Sequence, residues 1–404
     1  MPAGFRRGSK AAILALALTG MGTTFSAQAS SSSTPTPTPQ CTDWTAYRTF
    51  TARFVQADGR VIDFSTPTQQ TTSEGQSYAM FFALVANDRA TFNRLLAWTR
   101  TNLAGNEFEP GNVRLPSWQW GKKPDGSFGV LDPNSASDSD LWIAYDLLQA
   151  GRLWNDKTYT QLGMALAAEI ARHEVTNLAG IGPMLLPGPQ GFQSGDVTRL
   201  NPSYSPLPVL RGLAREMPDG PWNQLAENGY KLVTTTAPHG FAPDWAAYKS
   251  GQFVVDPQTA DTGSYDAIRV YLWAGLTSSA DPLGKPWLAA LGGMRQAVAQ
   301  NGYPPERVNV ATGATNGEGP LSYWAALAPY FRTIGDDRAL GLARAHLAAL
   351  DASVATLSVA ATSNPNREPV YYDRVLGLFG AGFIEGRYRF DEAGRLVPSW
   401  RSAC

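Results

Sequence analysis

From about residue 42 to the C-terminus, apolar residues recur at three- and four-residue spacing in one segment after another. That period fits one face of an α-helix, not the two-residue period of a strand. It predicts twelve helices, over roughly 43–56, 74–87, 91–103, 138–152, 158–174, 203–215, 221–235, 264–276, 286–300, 319–333, 337–350 and 370–380. Tyr78, Phe81, Phe82 and Val85, for example, share one face. Strand and helix patterns do not alternate, which disfavours a doubly wound sheet or a parallel-strand barrel. No Gly-rich phosphate loop with a following Lys-Ser/Thr pair is present. The connections 104–137 and 176–202 are long and rich in Gly, Pro, Asn and Trp, which suits ordered functional loops.

The even-numbered helices open alike, with polar and aromatic groups together. Their first turns carry Thr72-Ser73-Glu74 with Tyr78, Asp138-Ser-Asp140 with Trp142, and Asn201-Pro202-Ser203-Tyr204. Further on come Ser264-Tyr265-Asp266 with Arg269, Gly319-Pro320 with Ser322-Tyr323, and Tyr371-Tyr372-Asp373. If alternate helices run parallel on an inner ring, these six starts meet at one end. The other six return outside. The result is an all-α barrel of six helical hairpins, about sixty residues each. Its open end is a cleft with carboxylates in the floor and aromatic walls.

Helix capping competes with that reading. Ser, Asp and Glu at helix starts accept free N–H groups and complement the dipole. Capping suffices for any single acid. It does not call for Tyr and Trp beside Glu74, Asp138, Asp140 and Asp266 on alternate helices.

Residues 1–29 read as a secretory signal: Arg6, Arg7 and Lys10, then an apolar run from Ala11 to about Met21, then Ala27-Gln28-Ala29 as a small-x-small cleavage site. The apolar run is too short for a stable span, and no later stretch is apolar enough, so a soluble exported protein is expected. Removing this segment leaves 30 basic against 34 acidic side chains, a charge of −4. Without a basic excess, nucleic acid is an unsuitable partner. Residues 30–40 form a Ser/Thr/Pro linker, extended by alternating prolines. Cys41 and Cys404 bracket the remaining domain, 41–404. In an oxidising compartment they could tie its ends together, and two unpaired thiols are the alternative. Three His and two Cys argue against a zinc site. No metal or cofactor is expected.

What remains is acid–base chemistry by carboxyls, and cleavage of a glycosidic bond uses that chemistry. One carboxylic acid protonates the leaving oxygen, while another activates water or attacks the sugar. Trp and Tyr supply flat apolar faces for pyranose rings. Candidate platforms are the loop Pro116–Gly121 with Trp118 and Trp120, and also Tyr204, Tyr265, Trp324, Tyr371 and Tyr372. Trp142 and Trp273 fall inside apolar helix faces and read as core. Asp266 and Arg269 lie three apart on one helix, so the Arg can hold the carboxylate ionised and aim it. A routine surface ion pair is the alternative. Glu74 has no cation within four residues on its helix. Among aromatic walls its pKa should rise, as a general acid requires.

These residues resemble glycoside hydrolase family 8, and most closely its endoglucanases encoded with bacterial cellulose synthase. The resemblance runs from Cys41 to the C-terminus. Its blocks are Arg60–Asp63, Thr71–Tyr78, Leu115–Lys123, Asn134–Asp140, Gly182–Gly188, Asn201–Tyr204, Ser264–Tyr271 and Asn301–Pro305. It implies an (α/α)6 barrel that hydrolyses β-1,4-glucan with inversion. It implies Glu74 as general acid and Asp266 as general base. An acid of the Asp138-Ser-Asp140 block would contact the sugar at the cleavage point, with Asp138 favoured. Trp120, Tyr204 and Arg269 match cleft positions. Ser139 and Asp146 depart from the usual pattern, and Asp146 adds a charge without an evident place.

The expectation is therefore a periplasmic or secreted endo-β-1,4-glucanase, monomeric, acting on cellulose chains during their synthesis and export, with the synthase or export complex as a partner. A non-catalytic glucan-binding export component is one alternative. A chitosanase or xylan-cleaving enzyme of the same family is another, because fold and acid–base pair do not fix substrate.

Overall fold

The computed structural model describes residues 43–256, 258–355 and 371–401. The secretory segment, the linker and both cysteines lie outside the described residues. Thirteen α-helices are present among them: α1 (Thr45–Phe54), α2 (Ser73–Val85), α3 (Arg89–Asn102), α4 (Ser137–Leu153), α5 (Lys157–His173), α6 (Leu207–Glu216), α7 (Trp222–Thr236), α8 (Ala267–Leu276), α9 (Gly284–Ala290), α10 (Gly292–Asn301), α11 (Leu321–Ile334), α12 (Asp337–Ala355) and α13 (Tyr371–Ile384).

Burial sorts them into two rings. α8 is buried along its whole length. α4 is buried except at Arg152, and α2 except at Glu74. A helix apolar on all sides belongs inside. α5, in contrast, buries only Tyr159, Leu162, Gly163, Leu166, Ala167 and Ile170, one stripe at helical spacing. The inner ring runs α2, α4, α6, α8, α11, α13, each packed on the next. It closes where Phe379 of α13 meets Tyr78 and Phe81 of α2, with centroids 5.0 and 5.3 Å apart. The outer partners are α3, α5, α7, α9, α12 and α1. This is the expected (α/α)6 barrel.

An aromatic plug fills the barrel axis. Trp142 meets Phe81 edge-on at 5.0 Å and lies tilted against Trp273 at 5.4 Å, and Phe82 meets Phe379 at 4.7 Å. Such pairs contribute about 0.5–1.5 kcal/mol each beyond their buried area. Trp142 and Trp273 are core, as expected. Close helix approach needs glycine at Gly380, where a Cβ would sit 2.0 Å from the Ala325 carbonyl oxygen.

Two predicted helices are broken. The segment 286–300 is split into α9 and α10 at Leu291. Gly293 donates there to the Gly240 carbonyl at 3.1 Å, a backbone approach that a continuous helix would forbid. The segment 203–215 starts as a 3-10 turn, Pro202–Tyr204, and α6 begins only at Leu207. Pro206 forces Ser205 out of the helical region. The long connections fold into small antiparallel sheets. One joins Thr71–Thr72, Gln119–Lys122 and Phe128–Asp132 at the start of α2. Another joins Gln193–Ser194, Val197–Leu200, Ala246–Lys249 and Gln252–Val255.

Candidate active site

The acids at the inner-helix starts are mostly released from capping. At α2 the cap is Thr72, whose Oγ1 accepts from the Gly75 amide at 3.0 Å, so Glu74 is free to project. At α8 the residue before the helix is Asp266, yet its side chain makes no capping bond. Asp244 does so instead, accepting from the amides of Ser264, Asp266 and Ala267 at 2.7, 3.1 and 2.8 Å and from the Ser264 hydroxyl at 2.6 Å. Asp138 partly caps α4 through a 2.7 Å bond from the Ser139 amide.

Arg269 gathers the released carboxyls. Its Nη1 pairs with Glu74 Oε2. Its Nη2 donates to Asp266 Oδ1 at 2.7 Å and to the Ser203 hydroxyl at 3.1 Å. The Arg269 side chain is only 5% exposed, so this is no surface ion pair. Two hydrogen bonds and one guanidinium separate the nearest Glu74 and Asp266 oxygens, a span of at most about 8 Å. The side chains are 22% and 32% exposed respectively, so both reach solvent.

The electrostatics correct one expectation and add to another. Glu74 is not away from positive charge, because Arg269 arrives from α8. Its pKa is still pushed up to about 7, chiefly by burial and further by the Asp138 and Asp266 charges, with Arg269 opposing. Burial raises the pKa of Asp266, and the Asp244 charge adds to that, while Arg269 favours its ionised form as expected. Arg269, Asn201 and Trp245 act in the opposite direction. Burial also raises Asp138, against Arg269 and the Ser139 hydrogen bonds.

The two acids of the Asp138-Ser-Asp140 block part company. Asp138 feels Arg269 and Asp266 and belongs to the site. Asp140 is 0% exposed and so has no surface to offer a sugar, which corrects its place among sugar-contacting residues. Burial raises its pKa, and the neighbouring Glu174 charge adds to that. Glu174 is buried too, with its pKa pushed up to about 8 by that burial, and it accepts from the Ser135 hydroxyl at 2.6 Å. Asp146, whose charge had no evident place, is fully buried with no partner for either oxygen among the described residues. Burial raises its pKa well above the ordinary range, which favours its neutral form.

The aromatics divide as well. Tyr265, Asp266, Arg269, Ser322, Tyr372 and Asp373 line a cavity of about 290 Å³. Tyr372 donates to the Tyr265 carbonyl at 2.7 Å. Tyr204 lies beside Arg269, 5.9 Å from ring centroid to guanidinium carbon. Trp120 pairs across the sheet with Thr71, three residues before Glu74, and carries Arg60 over its ring at 4.3 Å and Phe128 stacked at 5.5 Å. Trp324 is no platform: it is 1% exposed and stacks on His346 in the core. Tyr371 is buried behind Glu74, its hydroxyl without a partner among the described residues. Glycine is required at 75, because a Cβ would come within 2.6 Å of that hydroxyl.

Sequence reasoning missed Asp244, Trp245 and Phe192. Trp245 stacks on Phe192 at 6.0 Å and meets Tyr204 at 6.3 Å. Asp244-Trp245 shows the acid-beside-aromatic signal of the helix starts, but in a loop, where no helix pattern drew attention to it. Among the described residues no helix is long and apolar enough to cross a membrane.

A raised carboxyl and a second carboxyl across one guanidinium can give and take a proton around a bond held between them. Comparisons with known proteins point the same way. A model of the family "Glycosyl hydrolases family 8" matches residues 13–385. The endoglucanase of Pseudomonas fluorescens is 44% identical over 378 residues, covering 90% of this chain and 93% of that protein. The endoglucanase of Escherichia coli is 42% identical over 365 residues, covering 90% and 93%. The crystal structure of an endo-1,4-D-glucanase from Vibrio fischeri superposes with a TM-score of 0.80 at 39% identity, covering 89% of this chain and 100% of that one.

Proposed function

The chain belongs to glycosyl hydrolase family 8, and from that footing we propose that it is an endo-β-1,4-glucanase cutting cellulose chains with inversion. Glu74 is the general acid. Arg269 occupies its Oε2, which leaves Oε1 to carry the proton delivered to the leaving glycosidic oxygen. Asp266 is the general base and takes a proton from the water that attacks the anomeric carbon. Asp138 contacts the sugar at the cleavage point. Tyr204, Tyr265, Tyr372 and Trp120 flank the chain. Inversion needs room for that water, and inverting pairs stand about 6.5–9.5 Å apart. The single observation carrying this reading is the guanidinium of Arg269 shared by Glu74 and Asp266.

The test is the product profile on cello-oligosaccharides, with anomeric configuration followed by NMR. Internal cleavage with the α-anomer appearing first supports the proposal. β-Anomer first would sink inversion, and no cleavage would leave a glucan-binding protein.

The same proposal places the protein outside the cytoplasm, as a monomer acting on cellulose during its synthesis and export and in contact with that assembly. Export rests on the positively charged, apolar, small-residue pattern of residues 1–29, and the link to cellulose synthesis rests on the resemblance of the motifs to endoglucanases encoded with bacterial cellulose synthase. Cell fractionation with N-terminal sequencing tests the location.

A further inference from the structure

Asp244 lies in the loop between α7 and the strand Ala246–Lys249. Its carboxylate grips the backbone on both sides of Asp266, through the amides of Ser264, Asp266 and Ala267. All three amides converge on one oxygen, Oδ1, and Oδ2 takes the Ser264 hydroxyl. A helix start leaves its first amides without partners, and an acid just before the helix usually takes them. Asp266 stands in that place but has helical dihedrals, φ −78° and ψ −48°, and makes no capping bond. The work has passed to a residue from another element.

We propose that Asp244 is a positioning residue for the base: by capping α8 from outside the helix, it holds Asp266 with its carboxylate turned to Arg269 and the cleft. This rests on the glucanase reading above. The bond network explains the arrangement. Were Asp266 its own cap, its carboxylate would fold back onto the Ile268 or Arg269 amide and leave the cleft. Asp244 also sets a negative charge next to the base, which favours its protonated form. The other groups facing Asp266 are Arg269 on its own helix, Glu74 on α2 and Asp138 on α4. Tyr204 of the 3-10 turn faces it as well, with Tyr372 and Asp373 of α13.

Two variants separate the grip from the charge. Asp244→Asn keeps an oxygen for the three amides, and its NH2 can meet the Ser264 hydroxyl, so it removes charge alone. The acid limb of its kcat profile on cellopentaose should move to lower pH, by about half a unit. Asp244→Ala removes the grip. Its kcat should fall about 100-fold with KM within twofold, as a misplaced catalytic group requires. A folded Asp244→Ala with wild-type kcat, or with its loss confined to KM, overturns the proposal, and so does an Asp244→Asn that loses as much kcat as Asp244→Ala. If Asp244→Ala does not fold, Asp244→Ser, too short to reach the amides, is read in its place by the same kcat and KM criteria. The wild-type protein is assayed alongside: failure to cleave cellopentaose refutes the glucanase reading itself, whereas an active parent with indifferent variants refutes only the role of Asp244.

Discussion

Arg269 of α8 and Glu74 of α2 form an ion pair across the barrel mouth, and the same guanidinium bonds Asp266. One cation thus stands between the proposed proton donor and the proposed proton acceptor. Replacing it with Met leaves three neighbouring carboxyls without their counter-charge. Stability should fall by the lower end of about 3–5 kcal/mol, because Glu74 and Asp266 both reach water. The carboxyls should also keep their protons to higher pH. A lower melting temperature and an alkaline limb displaced upward, read on the same preparation, check both parts.

Glu74→Gln retains an oxygen for Arg269 but has no acidic proton. Turnover on soluble cellulose should drop at least about 1,000-fold. The circular dichroism spectrum should not change. Full retained activity would remove Glu74 from the mechanism.

The pH dependence of the wild-type protein follows from the two carboxyls. As the proposed general acid Glu74 must be protonated, so activity should decline as pH rises through about 7. As the proposed general base Asp266 must be ionised, and burial raises its pKa, so activity should also decline on the acid side, earlier than for an ordinary aspartate. The expected kcat profile is a bell with its descending limb near neutrality. A plateau extending to pH 9 would contradict it.

Glu174 offers a stability test remote from turnover. Its folded-state pKa is pushed up to about 8, above the roughly 4.3 of an unfolded chain. Its contribution is fully present below pH 4.3 or so and is lost as pH rises towards 8. Glu174→Gln cannot ionise and should show a shallower fall in melting temperature between pH 5 and 8. Asp140 and Asp146, raised in the same direction, keep some slope in the variant.

Gly75 and Tyr371 should behave as a coupled pair. Gly75→Ala forces a methyl within 2.6 Å of the Tyr371 hydroxyl and should cost about 1–3 kcal/mol. Tyr371→Phe removes an unpartnered hydroxyl and should be close to neutral. Combined, the two should cost less than Gly75→Ala alone, as denaturant titration of the three variants will show.

The inner ring was legible because a helix buried on all sides must be apolar on all sides, as Tyr78 to Val85 already show. The pairing of polar starts with aromatics located Glu74 and Asp266, which share one side chain in the structure. Other features are not written locally. Arg269 reaches Glu74 only because two distant helices lie side by side, so the neighbourhood of Glu74 in the chain hid its counter-ion. Asp138 and Asp140 are two residues apart and look alike in sequence. The turn of α4 sends one to Arg269 and the other to Glu174. The split at Leu291 depends on the tertiary bond between Gly293 and Gly240.

The interlocked rings of Tyr78, Phe81, Phe82, Trp142, Trp273 and Phe379 stop the barrel like a cork. Among the described residues all six rings are buried, so they offer solvent no path to the floor beneath Glu74 and Asp266. The attacking water, the incoming polymer and both departing fragments therefore use the same mouth, and a bound chain that sealed it completely would exclude the molecule needed to cut it.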